Sequence, residues 1–448
     1  MSHCQLFPLA YQPNPAHYFQ QVHDQAGAIL LDSSQPESQR GRFDILSAWP
    51  LAQLSPHPTE SLDTFRQRCQ SLVKQLSICQ TPDGLELPFT GGLIGYLTYD
   101  FNHLNQTVET EGLAGATVGL YNWAVISDHQ QKQSWLMCHC SVTTERCNEL
   151  LNLFTTNFQS ILSNTPFSLT KAFAARINAQ RYQNDLKRVY NYITAGDCYQ
   201  VNYTQRFSSQ YSGDAWQAYS SLRARCPTPF ASFIRVNSQQ AIISLSPERL
   251  IQVHQRKVES RPIKGTRARG TTPEQDQALA HELRTSAKDQ AENLMIVDLL
   301  RNDLGRFCST GSVHVPELFA LESYPNVHHM VSSITGTLAE QYDALDVLIG
   351  SFPGGSITGA PKLRAMEIIS ELEATQRSIY CGSIFYFDNR GEMDSSITIR
   401  TLLANHGEIS CWGGGGIVYD SNPEEEYRES IQKVRVLMDT LEGLYLAH

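Results

Sequence analysis

The 448-residue sequence predicts an α+β fold in which antiparallel sheets are covered by helices. Two observations carry that expectation. Runs of strand-length segments alternate polar with apolar residues, so each presents one face to a core. Set among them are amphipathic stretches whose apolar residues keep helical spacing and whose ends carry start or stop signals.

In chain order, residues 1–165 form a mixed region, with strand-like runs at 28–31 and 123–127, a glycine turn at Gly91-Gly92 and a helical period across 62–76. Ser163-Asn164-Thr165-Pro166 interrupts a helical pattern. That places a boundary near 160–178 and a second region over 178–440, the two packed as one unit. From 178 to 196, Tyr182, Leu186, Val189, Tyr190 and Ile193 recur at helical spacing, and Gly196 supplies a left-handed stop. Residues 198–207 then alternate, Gln200, Asn202 and Thr204 on one face and Tyr199, Val201 and Tyr203 on the other. Further strands are expected at 230–236, 241–245, 380–387, 397–404 and 409–412. Helices are expected near 286–304 and 361–373, with a last one opening at Asn422-Pro423.

The chain is 41% hydrophobic and 18% charged, ordinary for a soluble globular protein. No stretch approaches the ~20 apolar residues of a membrane span, and the first residues lack the pattern of a signal peptide, so the cytoplasm is the expected location. The 11 cysteines are scattered singly except for Cys138 and Cys140, with no Cys-x-x-Cys pair, and read as reduced packing residues. A net charge of −10 argues against nucleic acid as a partner. An anionic substrate would need local cations or a metal to reverse that field.

Chemistry concentrates in residues 244–270. Glu248 and Lys264 flank apolar runs of hairpin length, so an acid and an amine nucleophile can face one cavity. Pro262 and Gly265 constrain the approach and leave room for a ligand. The neighbouring Arg261, Arg267 and Arg269 are expected to lower the lysine's pKa from its ordinary value of about 10.4. The competing reading is a surface lysine in a basic loop. Two helix starts carry carboxylates three residues apart, Asp289 with Glu292 and Glu426 with Glu429. Acidic first turns ordinarily complement the helix dipole, and Glu424 and Glu425 are read that way. The run 352–362 is a glycine-rich turn entering a helix, with Pro361 expected at the first helical position. It lacks the Gly-x-x-x-x-Gly-Lys spacing of a phosphate loop. Gly413 to Gly416 follow a strand expected to end at Trp412.

Ser246-Pro247-Glu248-Arg249 followed by Pro262-Ile263-Lys264-Gly265-Thr266 resembles the chorismate-utilising enzymes. Gly355-Ser356-Ile357-Thr358-Gly359-Ala360-Pro361-Lys362 resembles their Gly-Thr/Ser-x-Ser/Thr-Gly-Ala-Pro-Lys signature, and the four glycines stand where the family reads Gly-Ala-Gly. The resemblance is strong from Gln180 onward and weaker before it. It implies a layered two-sheet core with Glu248 as acid and Lys264 as nucleophile. Glu292 and Glu429 would be the principal Mg²⁺ ligands, assisted by Asp289 and Glu426. His329, Ser356, Tyr386, Arg400, Gly414, Gly415 and Gly416 would surround chorismate. A tryptophan pocket is implied, with Ser33, Arg40, Gly41, Arg42 and Phe43 on one wall and Pro229, Phe230, Ala231, Ser232 and Phe233 on the other. A plain strand edge is the alternative there.

Lys264 stands where the related anthranilate synthases carry alanine. Gln200 stands where isochorismate and salicylate synthases carry the lysine that activates water. The resemblance therefore implies amination of chorismate by ammonia at C4. No Gly-x-Cys-x-Gly elbow surrounds any cysteine, so a glutamine amidotransferase supplying the ammonia is expected to be a separate chain, forming a heterodimer. An anthranilate-forming enzyme and a catalytically silent chorismate-binding paralogue are the alternatives.

Overall fold

The computed structural model describes residues 2–34, 41–82, 85–104, 107–156, 165–324 and 327–446. Two large sheets with antiparallel pairing organise the chain, flanked by helices, and the fold is α+β. The larger sheet runs in space through Gln200–Ser212, Glu408–Ile417, Thr401–Asn405, Gln240–Ser246, Phe230–Asn237, Ile29–Asp32, Phe43–Ser47, Trp123–Asp128, Gln133–Cys138 and Gln5–Leu9. The smaller runs through Ile263–Ala268, Val327–Thr337, Lys257–Ser260, Arg249–His254, Met393–Ile397, Ser383–Asp388, Gly92–Leu97, Ala116–Tyr121 and Ala52–Leu54. Each sheet draws strands from before and after residues 160–178.

The larger sheet is buried on both faces. Ile234, Ile242, Leu403 and Trp412 point toward the smaller sheet, in one core with Leu93, Tyr96, Ile251 and Ile384. Phe207, Phe233, Ile243, Leu402 and Cys411 point the other way, in a second core with Trp216, Tyr219, Val434 and Leu437 from the helices Ala215–Arg225 and Pro423–Tyr445. Period-two alternation thus feeds two cores from one sheet.

Local signals place the helices. Asn178 caps Ala179–Ala195 by accepting the Arg181 N–H at 2.9 Å, and Gly196 ends it at φ +83°. Ser286 caps Ala287–Gly305 through the Asp289 N–H, and Asn422 caps the last helix. Three expectations change. The single strand expected at 397–404 is broken into Met393–Ile397 and Thr401–Asn405, which lie in different sheets. The strand expected to stop at Trp412 continues to Ile417, so the four glycines are strand, not loop. Pro361 is the capping residue before Lys362–Leu372 rather than its first helical residue.

Two chain crossings between the sheets set up the functional region. Gln240–Ser246 leaves the larger sheet and re-enters the smaller one at Arg249–His254, with Glu248 in between. Met393–Ile397 leaves the smaller sheet and re-enters the larger at Thr401–Asn405, with Arg400 in between. The crossings are zipped together: Ile397 N–H donates to Glu248 O at 3.0 Å, Leu245 N–H to Arg400 O at 3.0 Å, and Ser246 Oγ to Ile397 O at 2.5 Å. Backbone that must change sheets finds its hydrogen-bond partners in a second segment doing the same.

Candidate active site

Glu248 sits on the first crossing, 5% exposed, its backbone N–H held by Ser246 Oγ at 3.2 Å. Arg249–His254 and Lys257–Ser260 then form the hairpin, and the chain continues into Ile263–Ala268. A register shift between Ile263 and Thr266 marks a bulge in that strand, with Gly265 at φ +76° inside it. A Cβ on Gly265 would stand 2.7 Å from Leu283 Cδ1 and 2.9 Å from Asp289 Cγ. The bulge re-aims Lys264 inward, where Nζ donates to the Ser356 carbonyl at 3.0 Å.

Burial dominates both groups. It pushes the Glu248 carboxyl above its ordinary value, opposed by the charge of Lys264 and by the nearby Ser356 hydroxyl. Burial likewise pulls the Lys264 amine below its ordinary value, opposed by Glu248, Glu292 and Glu429 and reinforced by Lys433. Both shifts run toward a neutral acid beside a neutral amine. Glu248 Oε1 and Ser356 Oγ, though adjacent, are buried without a well-formed hydrogen bond.

The arginines do not tune the lysine. Arg261 is paired with Glu317 and Glu322 at 2.5 and 2.7 Å, Arg267 with Glu282 and Asp289 at 2.8 and 3.1 Å, and Arg269 with Asp276 at 2.7 Å. Each positive charge is already matched, so desolvation is what depresses Lys264.

Carboxylates face the lysine from two helices. Glu292 projects from Ala287–Gly305 and its pKa is raised, by burial first. On the last helix, burial raises Glu426, which accepts from Ser421 Oγ at 2.7 Å. Burial acts on Glu429 too but is outweighed by Lys433, 2.7 Å away, and its pKa falls. Glu426, Glu429 and Lys433 converge over Gly415, where a Cβ would meet Glu426 Oε2 at 3.0 Å and both Glu429 Oε1 and Lys433 Nζ at 3.5 Å. Glu292, Glu426 and Glu429 do not gather their oxygens within 4.8 Å of one another. Asp289 is engaged by Arg267 and packs under Gly265.

The four strand glycines serve close packing as well as the site. At Gly413 a Cβ would strike the Ser430 carbonyl at 2.0 Å, at Gly414 the Tyr203 carbonyl at 2.2 Å, and at Gly416 the Gln200 amide at 2.1 Å. Lys433, which also donates to Gly414 O at 2.8 Å, is a site residue the sequence reading missed. Its spacing from Glu429 looks like any surface i,i+4 pair.

Arg400 and His329 complete the region. Arg400 holds φ +49° on the second crossing. Burial lowers its pKa, and its guanidinium has no hydrogen-bonding or ion-pair partner among the described residues. His329 is buried with Nδ1 2.8 Å from Thr266 Oγ1; burial, then Arg400, brings its pKa down to about 4, so the ring is neutral near pH 7. A half-buried arginine with no partner among the described residues, beside a neutral imidazole, offers its charge to an anion.

Tyr386 is not brought to this region. It lines a second cavity of about 750 Å³ together with Ser33, Arg42, Phe43, Pro229, Phe230, Ala231 and Ser232. Its charged neighbours, Asp394 and Arg249 foremost, belong to that cavity. Phe233 turns away from it, packing on Phe19, Trp216 and Tyr219, because alternation sends it to the opposite face from Ser232. Gly41 is buried without lining the cavity, and Arg40 lies outside the described residues.

A family model described as chorismate binding enzyme matches residues 27–439, and the chain belongs to that family. It is 43% identical over 454 residues to aminodeoxychorismate synthase component 1 of Klebsiella aerogenes, covering 98% of this chain and 99% of that protein. It is also 43% identical over 441 residues to aminodeoxychorismate synthase component 1 of Escherichia coli K12, covering 95% of each. The crystal structure of anthranilate synthase component I from Streptococcus pneumoniae TIGR4 superposes with a TM-score of 0.75 at 29% identity, covering 90% of this chain and 93% of that one. No helix among the described residues is long and apolar enough to cross a membrane.

Proposed function

We propose that this chain is the chorismate-aminating component of an aminodeoxychorismate synthase, converting chorismate and ammonia to 4-amino-4-deoxychorismate on the route to p-aminobenzoate and folate. One observation carries the mechanism: the half-buried Lys264 stands near the buried Glu248, with the amine's pKa lowered and the carboxyl's raised. The Lys264 lone pair forms a bond to ring C2 while the C4–O bond breaks and Glu248 gives its proton to the departing hydroxyl, releasing water. Ammonia then bonds to C4 as the C2–N bond breaks, which regenerates the neutral lysine, and the new C4 ammonium gives a proton back to Glu248. Arg400 grips a substrate carboxylate, the neutral His329 lines the ring, and the Ser356 hydroxyl faces the reacting centre. Anthranilate formation is the weaker reading, because an amine at position 264 competes with ammonia for C2.

Oxygen-only donors on two facing helices suit Mg²⁺, which keeps several waters and needs few carboxylates. Glu292 and Glu429 would hold it, with Glu426 and Asp289 in support and Lys433 giving up its contact with Glu429. When bound, the ion would supply positive charge for the substrate's ring carboxylate and leaving group. The second cavity is the proposed tryptophan pocket. A separate glutamine amidotransferase, forming a cytoplasmic heterodimer with this chain, would provide ammonia. The test is product identity by mass spectrometry after incubation with chorismate, Mg²⁺ and ammonium salt. 4-Amino-4-deoxychorismate is expected; anthranilate or isochorismate as main product overturns the reading. Glutamine should replace ammonium only once an amidotransferase subunit is added.

A further inference from the structure

Far from the lysine in sequence, the strand Cys79–Gln80 and the turn following Gln133–Cys138 bring three soft donors together. One ligand atom each from Cys79, His139 and Cys140 lies within 4.8 Å of the others. Cys79 and His139 are fully buried and Cys140 is half-buried. A third thiol adjoins them: the Cys4 N–H donates to the Gln80 carbonyl at 2.9 Å, and its sulfur bears electrostatically on Cys79 and Cys140.

The histidine is oriented as a ligand would be. Nε2 lies 2.8 Å from the Ser77 carbonyl, which can only accept, so Nε2 carries the proton. Nδ1 is left as the acceptor, receiving the Ser141 N–H at 3.0 Å. Metal-bound histidines characteristically donate their other ring N–H to a carbonyl or carboxylate, which fixes tautomer and ring plane. Cys140 Sγ lies 3.9 Å from Nδ1 and 3.8 Å from Nε2, about equally far from both ring nitrogens. A tetrahedral ion with metal–sulfur bonds of about 2.3 Å and a metal–nitrogen bond of about 2.0 Å needs a sulfur–nitrogen separation of roughly 3.5 Å. Binding requires the Cys140 side chain to turn toward the Nδ1 lone pair, which gives up the Ser141 N–H and hydroxyl.

We propose that Cys79 Sγ, His139 Nδ1 and Cys140 Sγ bind a thiophilic divalent cation of the Zn²⁺ class, its fourth position open to water, with Cys4 nearby but outside the three-donor cluster. The site clips the strand Cys79–Gln80 to the end of Gln133–Cys138, joining two segments distant in sequence. Binding is acid–base chemistry without oxidation: two sulfur–metal bonds form and two thiol protons pass to solvent. Because the ligands must be deprotonated, metal uptake is steeply pH-dependent. With two protons released per ion, affinity should rise up to ~100-fold per pH unit below the thiol pKa values.

The test is titration of the reduced full-length chain with Co²⁺ in excess Mg²⁺, which occupies the carboxylate site. One equivalent of Co²⁺ should produce thiolate-to-cobalt charge-transfer absorption with intense tetrahedral visible bands, and one equivalent of Zn²⁺ should abolish both. Cys140→Ser, at the half-exposed position least able to harm folding, should remove most of the charge-transfer intensity. Cys411→Ser, in the other core, should leave it unchanged. Absence of the band at stoichiometric Co²⁺, its persistence at full intensity in Cys140→Ser, or isolation of a metal-free Cys79–Cys140 disulfide as the stable form would overturn the assignment.

Discussion

Arg400→Met should weaken substrate binding without weakening the fold, and the two effects together separate an anion-binding arginine from a structural one. Arg400 is half-buried, its pKa lowered by burial, and its guanidinium has no partner among the described residues. Methionine keeps much of the volume and leaves the φ of +49° in place. Truncating one member of a desolvated charge pair in a complex typically costs about 2–5 kcal/mol. At about 1.4 kcal/mol per tenfold, the KM for chorismate should rise roughly 30-fold to several thousand-fold. Had Arg400 been one half of a buried ion pair in the free protein, its loss would cost about 3–5 kcal/mol of stability. With 448 residues, unfolding entropy near Tm is about 0.9 kcal/mol/K, so that loss would lower Tm by roughly 3–5 °C. Because no pair exists to break, Tm should hold or rise by about a degree. Steady-state kinetics at saturating ammonium, paired with thermal melts, decide the matter. A fall of several degrees with KM unchanged would refute the reasoning.

Four further expectations concern the proposed catalytic groups and the bulge that carries Lys264. For Lys264 the pKa is lowered, so the neutral amine is lost as pH falls through that lowered value; for Glu248 the pKa is raised, so the acid is lost as pH rises through that raised value. The kcat/KM profile should therefore be bell-shaped. Glu248→Gln should delete its alkaline limb, and an alkaline limb unchanged in that variant would remove Glu248 as the acid. Lys264→Ala should abolish any mass adduct trapped on its peptide by a substrate analogue unable to complete the second displacement. Glu292→Gln and Glu429→Gln should each abolish turnover at millimolar Mg²⁺ with the circular dichroism spectrum retained; near-normal turnover would reduce these residues to helix-start charges. Gly265→Ala forces a Cβ to 2.7 Å from Leu283 at φ +76°, so Tm should fall by about 1–3 °C and kcat should drop as Lys264 moves. A wild-type melt and rate would show that the bulge does not aim the lysine.

The sequence disclosed this molecule unevenly, and the division has a physical cause. Ala179–Ala195 was legible at both ends because its cap, its apolar period and Gly196 are all local. The alternation from Gln200 was legible too, and its polar face does meet the site: Asn202 donates to the Ile357 carbonyl, and Gln200 abuts Gly416. The strand pattern Ile397-Thr398-Ile399-Arg400-Thr401-Leu402 was misread as continuous because nothing within it signals that the chain changes sheets at Arg400. That break is set by pairing with Ser246 and Glu248, some 150 positions earlier. Arg261, Arg267 and Arg269 were given to the lysine by proximity in sequence, whereas partners such as Glu317 and Asp289 claim them in space. Tyr386 and Phe233 failed for the related reason that a residue's face depends on which cavity its sheet borders. Resemblance could thus name Glu248 and Lys264, but their protonation follows from burial. Desolvation is a property of the packed sheets, and it is what pushes the carboxyl's pKa up beside an amine whose pKa it pulls down.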